Sequence, residues 1–451
     1  MRYLSHLLVV LFAIALPTQH ALAQSILRDA ETEALLNDMA EPLVEASGLA
    51  PGNVDMVLIN DPSINAFVAG GQAVYMHSGL LDAADSALEV QGVIAHELGH
   101  ITGGHIVRFN EGASAASNIS ILSLLLGVGA ALAGAGDAAI GIMQAGQRAA
   151  LGKFLAFNRV QESSADAAGA EYLSYAGISG RGSLDFFAKL RNQEFRYGYS
   201  QDDESAFTRT HPLSGDRIAT LRDSYQDDPA WDTPVDPDIQ ARFVRVKAKL
   251  FGYLSTPQQT LRKYPLSDTS VPARYARAYA YHKDALVDEA LAEADGLLAI
   301  DPQDPYFLEL KGQILLESGR PLEALPPLKQ ATELTYHQPL IATMYGHALI
   351  ATDDASQLGE AERVLRAALA RDRLNPFAWY QLGVVYAAKG DQPRARLASA
   401  EQQVMTRRYP DAIRSAQVAE AGLDPGSPDW IRAQDIALQA RAALEQIRDS
   451  N

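Results

Sequence analysis

The chain has 451 residues, with 55 acidic against 38 basic side chains, a net charge of −17, and no cysteine. That balance argues against nucleic acid or anionic lipid as the main partner. The missing thiols exclude disulfides and leave nitrogen and oxygen as the only donors for a metal, and the length leaves room for two or more domains.

Residues 1–23 have one early arginine, an apolar run from Leu7 to Leu16 and the sequence Ala21-Leu22-Ala23 before Gln24. They read as a cleaved secretory signal peptide, too short in its apolar run for a membrane span. With no cysteine near the cleavage site a lipoprotein is excluded, and an exported, periplasmic location is expected. Removing this segment takes away Arg2 and leaves a more acidic chain.

Residues 26–50 have the pattern of an acidic amphipathic helix, with Leu27, Leu35, Leu36, Met39, Leu43 and Val44 on its apolar side. "VDMVLIND" reads as a strand and "NAFVAGGQAVYMHSGLL" as two short strands around Gly70-Gly71, which together make a small sheet. An exposed edge of such a sheet can take an extended peptide by main-chain hydrogen bonds. Asn65, Ala66 and Phe67 are candidates for that edge, or else form a turn and a core contact.

"SALEVQGVIA" leads helically into "HELGHITGGH". His96 and His100 lie one turn apart and so share a face, which pre-spaces two imidazoles for a tetrahedral metal. Glu97 leans over that face, where it could take a proton from a water activated by zinc. The alternative is a chance match on an ordinary helix. Gly103-Gly104 would end the helix. His105 lies about 140° around from His100 on a 3.6-residue helix and faces elsewhere unless the glycine pair turns it back. Position 106 is Ile106, so the pattern with a third histidine there is absent and the third ligand is sought downstream among carboxylates.

Residues 112–136 carry no charge, and "ISILSLLLGVGAALAGAG" is apolar enough for a membrane span. A single crossing would put a downstream ligand on the far side of the bilayer from His96. The glycine, alanine and serine content suits closely packed helices, a re-entrant hairpin or a lid resting against a membrane surface; the lid is favoured.

"FNRVQESSADAAGAEYL" presents Glu162 and Asp166 on one helical face, beside Ala165 and Gly169, which let another helix approach closely. Glu162 is assigned as the third zinc ligand and Asp166 as the carboxylate that orients a ligating histidine through its other ring nitrogen. A solvated acidic face is the alternative. In "RTHPLSGDRI", His211 precedes a proline and lies on extended chain, with Ser214 available as a helix cap. His211 could hydrogen-bond an oxyanion, fill the fourth zinc position and exclude water, or be an ordinary surface histidine.

"HELGH", then "ESSAD" about sixty residues on, then "THPLSGDRI", all after "NAFVAGGQAVYMHSGLL", resemble the zinc metallopeptidase family that contains HtpX and the prenyl-protein proteases. The motifs cover roughly residues 30 to 225. The resemblance implies a gluzincin with His96, His100 and Glu162 as ligands of one zinc, Glu97 as base and His211 as the regulatory histidine. Relatives usually have a serine before the arginine where this chain has Asn158-Arg159. The signal peptide and helical-repeat tail narrow the resemblance to periplasmic members. For those it implies unfolded or stalled outer-membrane β-barrel proteins as substrates and the barrel-assembly machinery as partner.

From residue 271 a 34-residue period appears: Ala278, Gly312, Gly346 and Gly383 are 34, 34 and 37 apart, each followed three residues later by Tyr281, Leu315, Leu349 or Tyr386. Ala290, Ala324, Ala361 and Ala395 recur further along, and Trp379, Leu382, Gly383 and Tyr386 complete one tetratricopeptide pattern. Such a solenoid offers a concave surface for a protein segment. Residues 428–448 read as a closing helix.

The expected fold is mainly α. A metallopeptidase domain with a small sheet spans 24–235, with 112–150 as lid or membrane-contacting segment. Connecting helices follow at 236–270 and repeats at 271–451. The expected function is a zinc endopeptidase with a protein-binding repeat domain, partners that include no nucleic acid, and peripheral membrane contact through the lid. The alternative is a repeat adaptor with a latent protease site.

Overall fold

A computed structural model describes residues 25–105, 114, 117–126, 136–197, 211 and 215–449. The expected signal peptide, the expected cap at Ser214 and most of the uncharged segment lie outside the described residues. Among those described, no helix is long and apolar enough to cross a membrane.

The first departure from sequence expectation is at the start. Residues 25–27 form strand β1 (Ser25–Leu27), and helix α1 (Ala30–Ala46) begins only after Asp29, whose side chain accepts from the Thr32 amide at 2.9 Å. That cap fixes the helix start, and the three residues before it gain partners in the sheet instead, Ser25 opposite Asn60. β2 (Asp55–Asn60), β3 (Ala66–Ala69) and β4 (Ala73–His77) complete a sheet ordered β1-β2-β4-β3. β2 and β4 run parallel; β3 and β4 form the hairpin around Gly70-Gly71, both of which have positive φ (65° and 108°). β3 is therefore an edge strand.

α2 (Ser78–Ala83) and α3 (Ala87–Thr102) follow. α3 is buried on nearly every side, by the sheet, by α4 (Gly136–Tyr175) and by α5 (Arg181–Tyr197), so its two histidines face protein and not solvent. α6 (Gly215–Gln226) closes over α4 and α5. One core, from Leu35 and Met39 through Val74 and Leu98 to Leu221 and Phe243, unites these elements.

α7 (Pro237–Leu254) and α8 (Pro257–Lys263) lead into antiparallel pairs. These are α9 (Val271–Lys283) with α10 (Val287–Ile300), α11 (Pro305–Glu317) with α12 (Pro321–Leu334), α13 (Pro339–Ala351) with α14 (Leu358–Arg371), and α15 (Pro376–Ala388) with α16 (Gln392–Met405). α17 (Tyr409–Gly422) and α18 (Pro428–Asp449) finish the chain. The periodic small residues sit where paired helices cross: a Cβ on Gly346 would lie 2.7 Å from Leu365 Cγ, and Ala290, Ala324 and Ala361 are fully buried. The repeat of 37 instead of 34 is accommodated by a 3₁₀ turn at Ala355–Gln357.

The start of α1 is keyed into this solenoid. Ala30 packs with Leu308, Ala331 and Ile341, and Arg28 Nη2 lies 3.0 Å from Asp372 Oδ2. Beneath them is a buried charge cluster. Lys249 Nζ is 2.5 Å from Asp29 and 3.2 Å from Glu31, and Arg245 bridges Glu31 at 2.5 Å to Asp304 at 2.6 Å. Tyr275 donates to Glu31 at 2.7 Å. Glu309 faces the same group from α11.

Candidate metal centre

α3 carries His96, Glu97 and His100, and α4 carries Glu162 and Asp166. The two helices meet because small residues remove the bulk between them: a Cβ on Gly99 would lie 2.5 Å from the Ala165 carbonyl oxygen, and one on Gly169 3.0 Å from the Ala95 carbonyl carbon. The crossing brings His96, His100, Glu162 and His211 together, one donor atom from each lying within 4.8 Å of the others, all four buried. His96 Nε2 is 3.1 Å from His100 Nε2 and 3.2 Å from His211 Nδ1, and that same Nδ1 is 3.2 Å from each Glu162 oxygen. Two imidazoles, a carboxylate and a third imidazole converging on one point suit a tetrahedral cation with nitrogen and oxygen ligands.

The surroundings orient these donors. His96 Nδ1 lies 3.0 Å from Asp166 Oδ1. Asp166 in turn accepts from Arg217 Nε at 2.7 Å and Nη2 at 2.8 Å, and Arg217 Nη1 reaches Glu162 Oε2 at 3.1 Å. The Phe187 ring meets His96 edge-on at 6.1 Å and closes the apolar side. His105 is turned back by Gly103 and Gly104, the latter at φ +64°, so that its Nδ1 comes 2.9 Å from His100 Nδ1. It does not join the four-donor group.

Charge follows this layout. Burial works against a proton on His96, but Asp166 and Glu162 outweigh it and push the group up to about 10. Burial, then the neighbouring His96 and His211, drives His100 down to about 2. Although burial opposes it, His211 and His96 hold Glu162 well below the usual carboxylate range. Glu97 is pushed up, by burial first, with His211 and His96 opposing. Glu97 Oε1 has no hydrogen-bond partner among the described residues and sits 3.5 Å from His211 Nε2, facing the cluster.

Asn65, Ala66 and Phe67 are not among the four donors. Asn65 and Ala66 are buried, Ala66 and Phe67 belong to the edge strand β3, and Phe67 stacks on Tyr75 at 5.2 Å between centroids. β3 packs against α3, so this edge flanks the helix that bears His96. Arg159 is exposed. Of the uncharged segment, residues 117–126 are helical and expose Ile121, Leu122, Leu124, Leu125 and Leu126, while Ser123 packs against Gly146 of α4.

Sequence reasoning gave Arg217 no role, although it lies in the quoted "THPLSGDRI", six residues after His211. An arginine so close to a candidate ligand, opposite two carboxylates, was the available signal. His105 could be placed only once the glycine turn was known.

Residues 28–224 match the family described as Peptidase family M48. The chain is 26% identical to the "Beta-barrel assembly-enhancing protease" of Escherichia coli (strain K12), over 92% of this chain and 84% of that one. It is 29% identical to "Metalloprotease LoiP" of the same organism, over 38% of this chain and 62% of that one. Among solved structures, "YrrB: a TPR protein with an unusual peptide-binding site" aligns with 39% of this chain and 91% of its own at 21% identity, with a TM-score of 0.32.

Proposed function

We propose that this chain, a member of Peptidase family M48 through residues 28–224, is an exported zinc endopeptidase whose repeats select protein substrates. The observation that carries the reading is the buried convergence of His96, His100, Glu162 and His211 with Glu97 beside them. The similarity to β-barrel assembly-enhancing proteases over 92% of the chain supports outer-membrane β-barrel proteins as substrates, the barrel-assembly machinery as a partner of the repeats, and a periplasmic location after removal of residues 1–23.

In this reading His96, His100 and Glu162 hold zinc. Bound there, zinc supplies Lewis-acid polarisation of a peptide carbonyl and lowers the pKa of water toward neutrality. Glu97 accepts the proton of the attacking water and delivers it to the leaving amine; a buried carboxyl pushed up in pKa is suited to that exchange. Arg217 and Asp166 keep the His96 ring in place and balance the carboxylates. The edge strand β3 is the place where an extended substrate would add as a further strand, beside Asn65, Ala66 and Phe67. The exposed leucines of 117–126 would give peripheral contact with a membrane surface.

His211 decides between two states. With Nδ1 against His96 and Glu162 it occupies the fourth donor position and shuts the site. Turned outward, it could hydrogen-bond the oxyanion. The closed arrangement favours a second reading, in which the chain acts chiefly as a repeat adaptor with a latent protease.

The test is zinc content together with degradation of an unfolded protein for the exported chain, Glu97→Gln and His211→Ala. About one zinc per chain, with activity falling roughly 10²–10⁴-fold in Glu97→Gln, is expected. Activity that rises in His211→Ala identifies a gate, activity that falls identifies an oxyanion donor, and a chain that binds no zinc sinks the enzymatic reading. Outer-membrane assembly that persists in cells with Glu97→Gln would mark the adaptor role as separable.

A further inference from the structure

We infer that Phe67 is the specificity-determining residue of the substrate edge: an extended segment added to β3 is selected by an aromatic or large aliphatic side chain at the position opposite Phe67. This deepens the proposed function and rests on its reading of β3 as the strand beside which substrate lies.

The hydrogen-bond pattern fixes how such a segment would lie. Among the described residues β4 is the sole strand partner of β3. The His77 amide donates to the Asn65 carbonyl at 2.9 Å, and the register continues with Ala66 opposite Met76 and Phe67 opposite Tyr75. In an antiparallel pair the main-chain groups point to the partner strand at every second residue. Those of Asn65 and Phe67 are therefore directed to β4, and those of Ala66 and Val68 to the unpaired side. An added antiparallel strand takes its main-chain bonds from Ala66 and Val68. Its residue opposite Phe67 then falls at a non-hydrogen-bonded site, where Cα atoms come within about 4.5 Å and side chains meet most closely.

The side chain at that site is aromatic and held in place. Successive residues of a strand alternate faces. Ala66 is fully buried with Val74 and Met76 in the core, and Phe67 stands on the other face, half-buried. One face of its ring lies on Tyr75, at 5.2 Å between centroids and 9° between planes, and the His77 ring meets it edge-on at 6.0 Å. Tyr75 is paired in turn with Val57 of β2. The stack leaves the other face of the Phe67 ring turned away from β4, toward the strand position beyond β3. A flat or bulky apolar side chain covers that face, whereas a carboxylate loses water against a ring face that is itself negative.

One apolar side chain in the right register satisfies this edge. Strands of membrane-spanning β-barrels alternate a lipid-facing apolar residue with an inward polar one, so an unfolded barrel protein supplies such a side chain at every second register. The geometry thus commits to an extended segment whose lipid-facing residue lies against Phe67.

The test uses the full exported chain loaded with zinc, as wild type, Phe67→Ala, Phe67→Leu and Phe67→Glu, with zinc content measured for each. The substrates are unstructured peptides of equal length in which one Phe, Leu, Asp or Lys is stepped along a neutral polar background. Both kcat/KM and the cut position are read by mass spectrometry, in the His211→Ala background if that form is the faster. Expected is one position, at a fixed distance from the cut bond, where Phe exceeds Asp roughly 10-fold in kcat/KM, mainly through KM, with Leu between them. Phe67→Ala flattens the preference there and leaves the other positions as they were. Phe67→Glu turns it toward Lys, a change of direction that loss of structure cannot produce.

The same ranking at every position in wild type and Phe67→Ala overturns the inference and leaves the peptidase standing. Zinc-loaded wild type and His211→Ala that cut neither these peptides nor an unfolded protein overturn both. Should Phe67→Ala lose its fold, a Phe67→Leu chain that still ranks Phe above Leu as strongly as wild type overturns the inference by itself.

Discussion

Glu309 is the group whose replacement should stabilise the protein. It is buried in α11, opposite Lys249, Asp29 and Glu31, and its Oε2 has no hydrogen-bond partner among the described residues. Burial raises its pKa, Lys249 works against that, and Asp29 and Glu31 add to it, for a value of about 8 against the ordinary 4.5. The folded state thus keeps a proton that the unfolded chain releases, so unfolding sheds a proton and is favoured as pH rises. The cost is absent below about pH 4.5, grows through the window up to 8 and is complete above it. Its full size is on the order of 4 to 5 kcal/mol, at about 1.4 kcal/mol per unit. Glu309→Gln removes the titration. Urea unfolding at pH 5 and pH 8 should show the variant gaining about 3 kcal/mol on wild type between the two pH values. Parallel pH profiles for variant and wild type would refute the reasoning, because they would mean that Glu309 is solvated or paired in solution.

Gly99→Val should separate the two ligand-bearing helices, since the new Cβ would meet backbone atoms of Ala165 that cannot move aside; a loss of about 1–3 kcal/mol, with zinc binding lost, is the outcome that calorimetry and metal analysis would check. Zinc affinity should weaken as pH falls. The proton that Asp166 and Glu162 hold on His96, against burial, up to about pH 10 must leave before the metal binds, so affinity should drop roughly tenfold per unit between pH 8 and 6, and a flat profile would contradict it.

What could be read from the sequence was local. The His96 and His100 pair lies within one turn, the Glu162 and Asp166 pair within another, and the repeats announce themselves by spacing. The juxtaposition of Glu162 with His96 depends on Gly99 meeting Ala165, and that is a property of two helices whose crossing no periodicity specifies. β1 escaped because three residues carry too little pattern and their partners lie in β2. The place of His105 stayed open, because whether the glycine pair turns the chain back depends on the left-handed φ of Gly104, which spacing does not specify. Arg217 was legible as a residue and not as a partner, because its carboxylates are 51 and 55 positions away in the chain.

The charge cluster around Lys249 also bears on how the chain can be taken apart. Composition and motifs draw a seam near residue 235, after the peptidase motifs and before the repeats. Lys249 and Arg245 lie on the repeat side of that seam, and Asp29 and Glu31, the acids that neutralise them, lie at the opposite end of the sequence. A fragment beginning at the seam would carry a buried ammonium stripped of both its acids and a guanidinium left with Asp304 alone, an omission whose cost is commonly about 3–5 kcal/mol per broken pair. A fragment ending there would expose Ala30 and strand the acids. The linear boundary and the mechanical boundary therefore do not coincide: residues 28–31 behave as a piece of the solenoid.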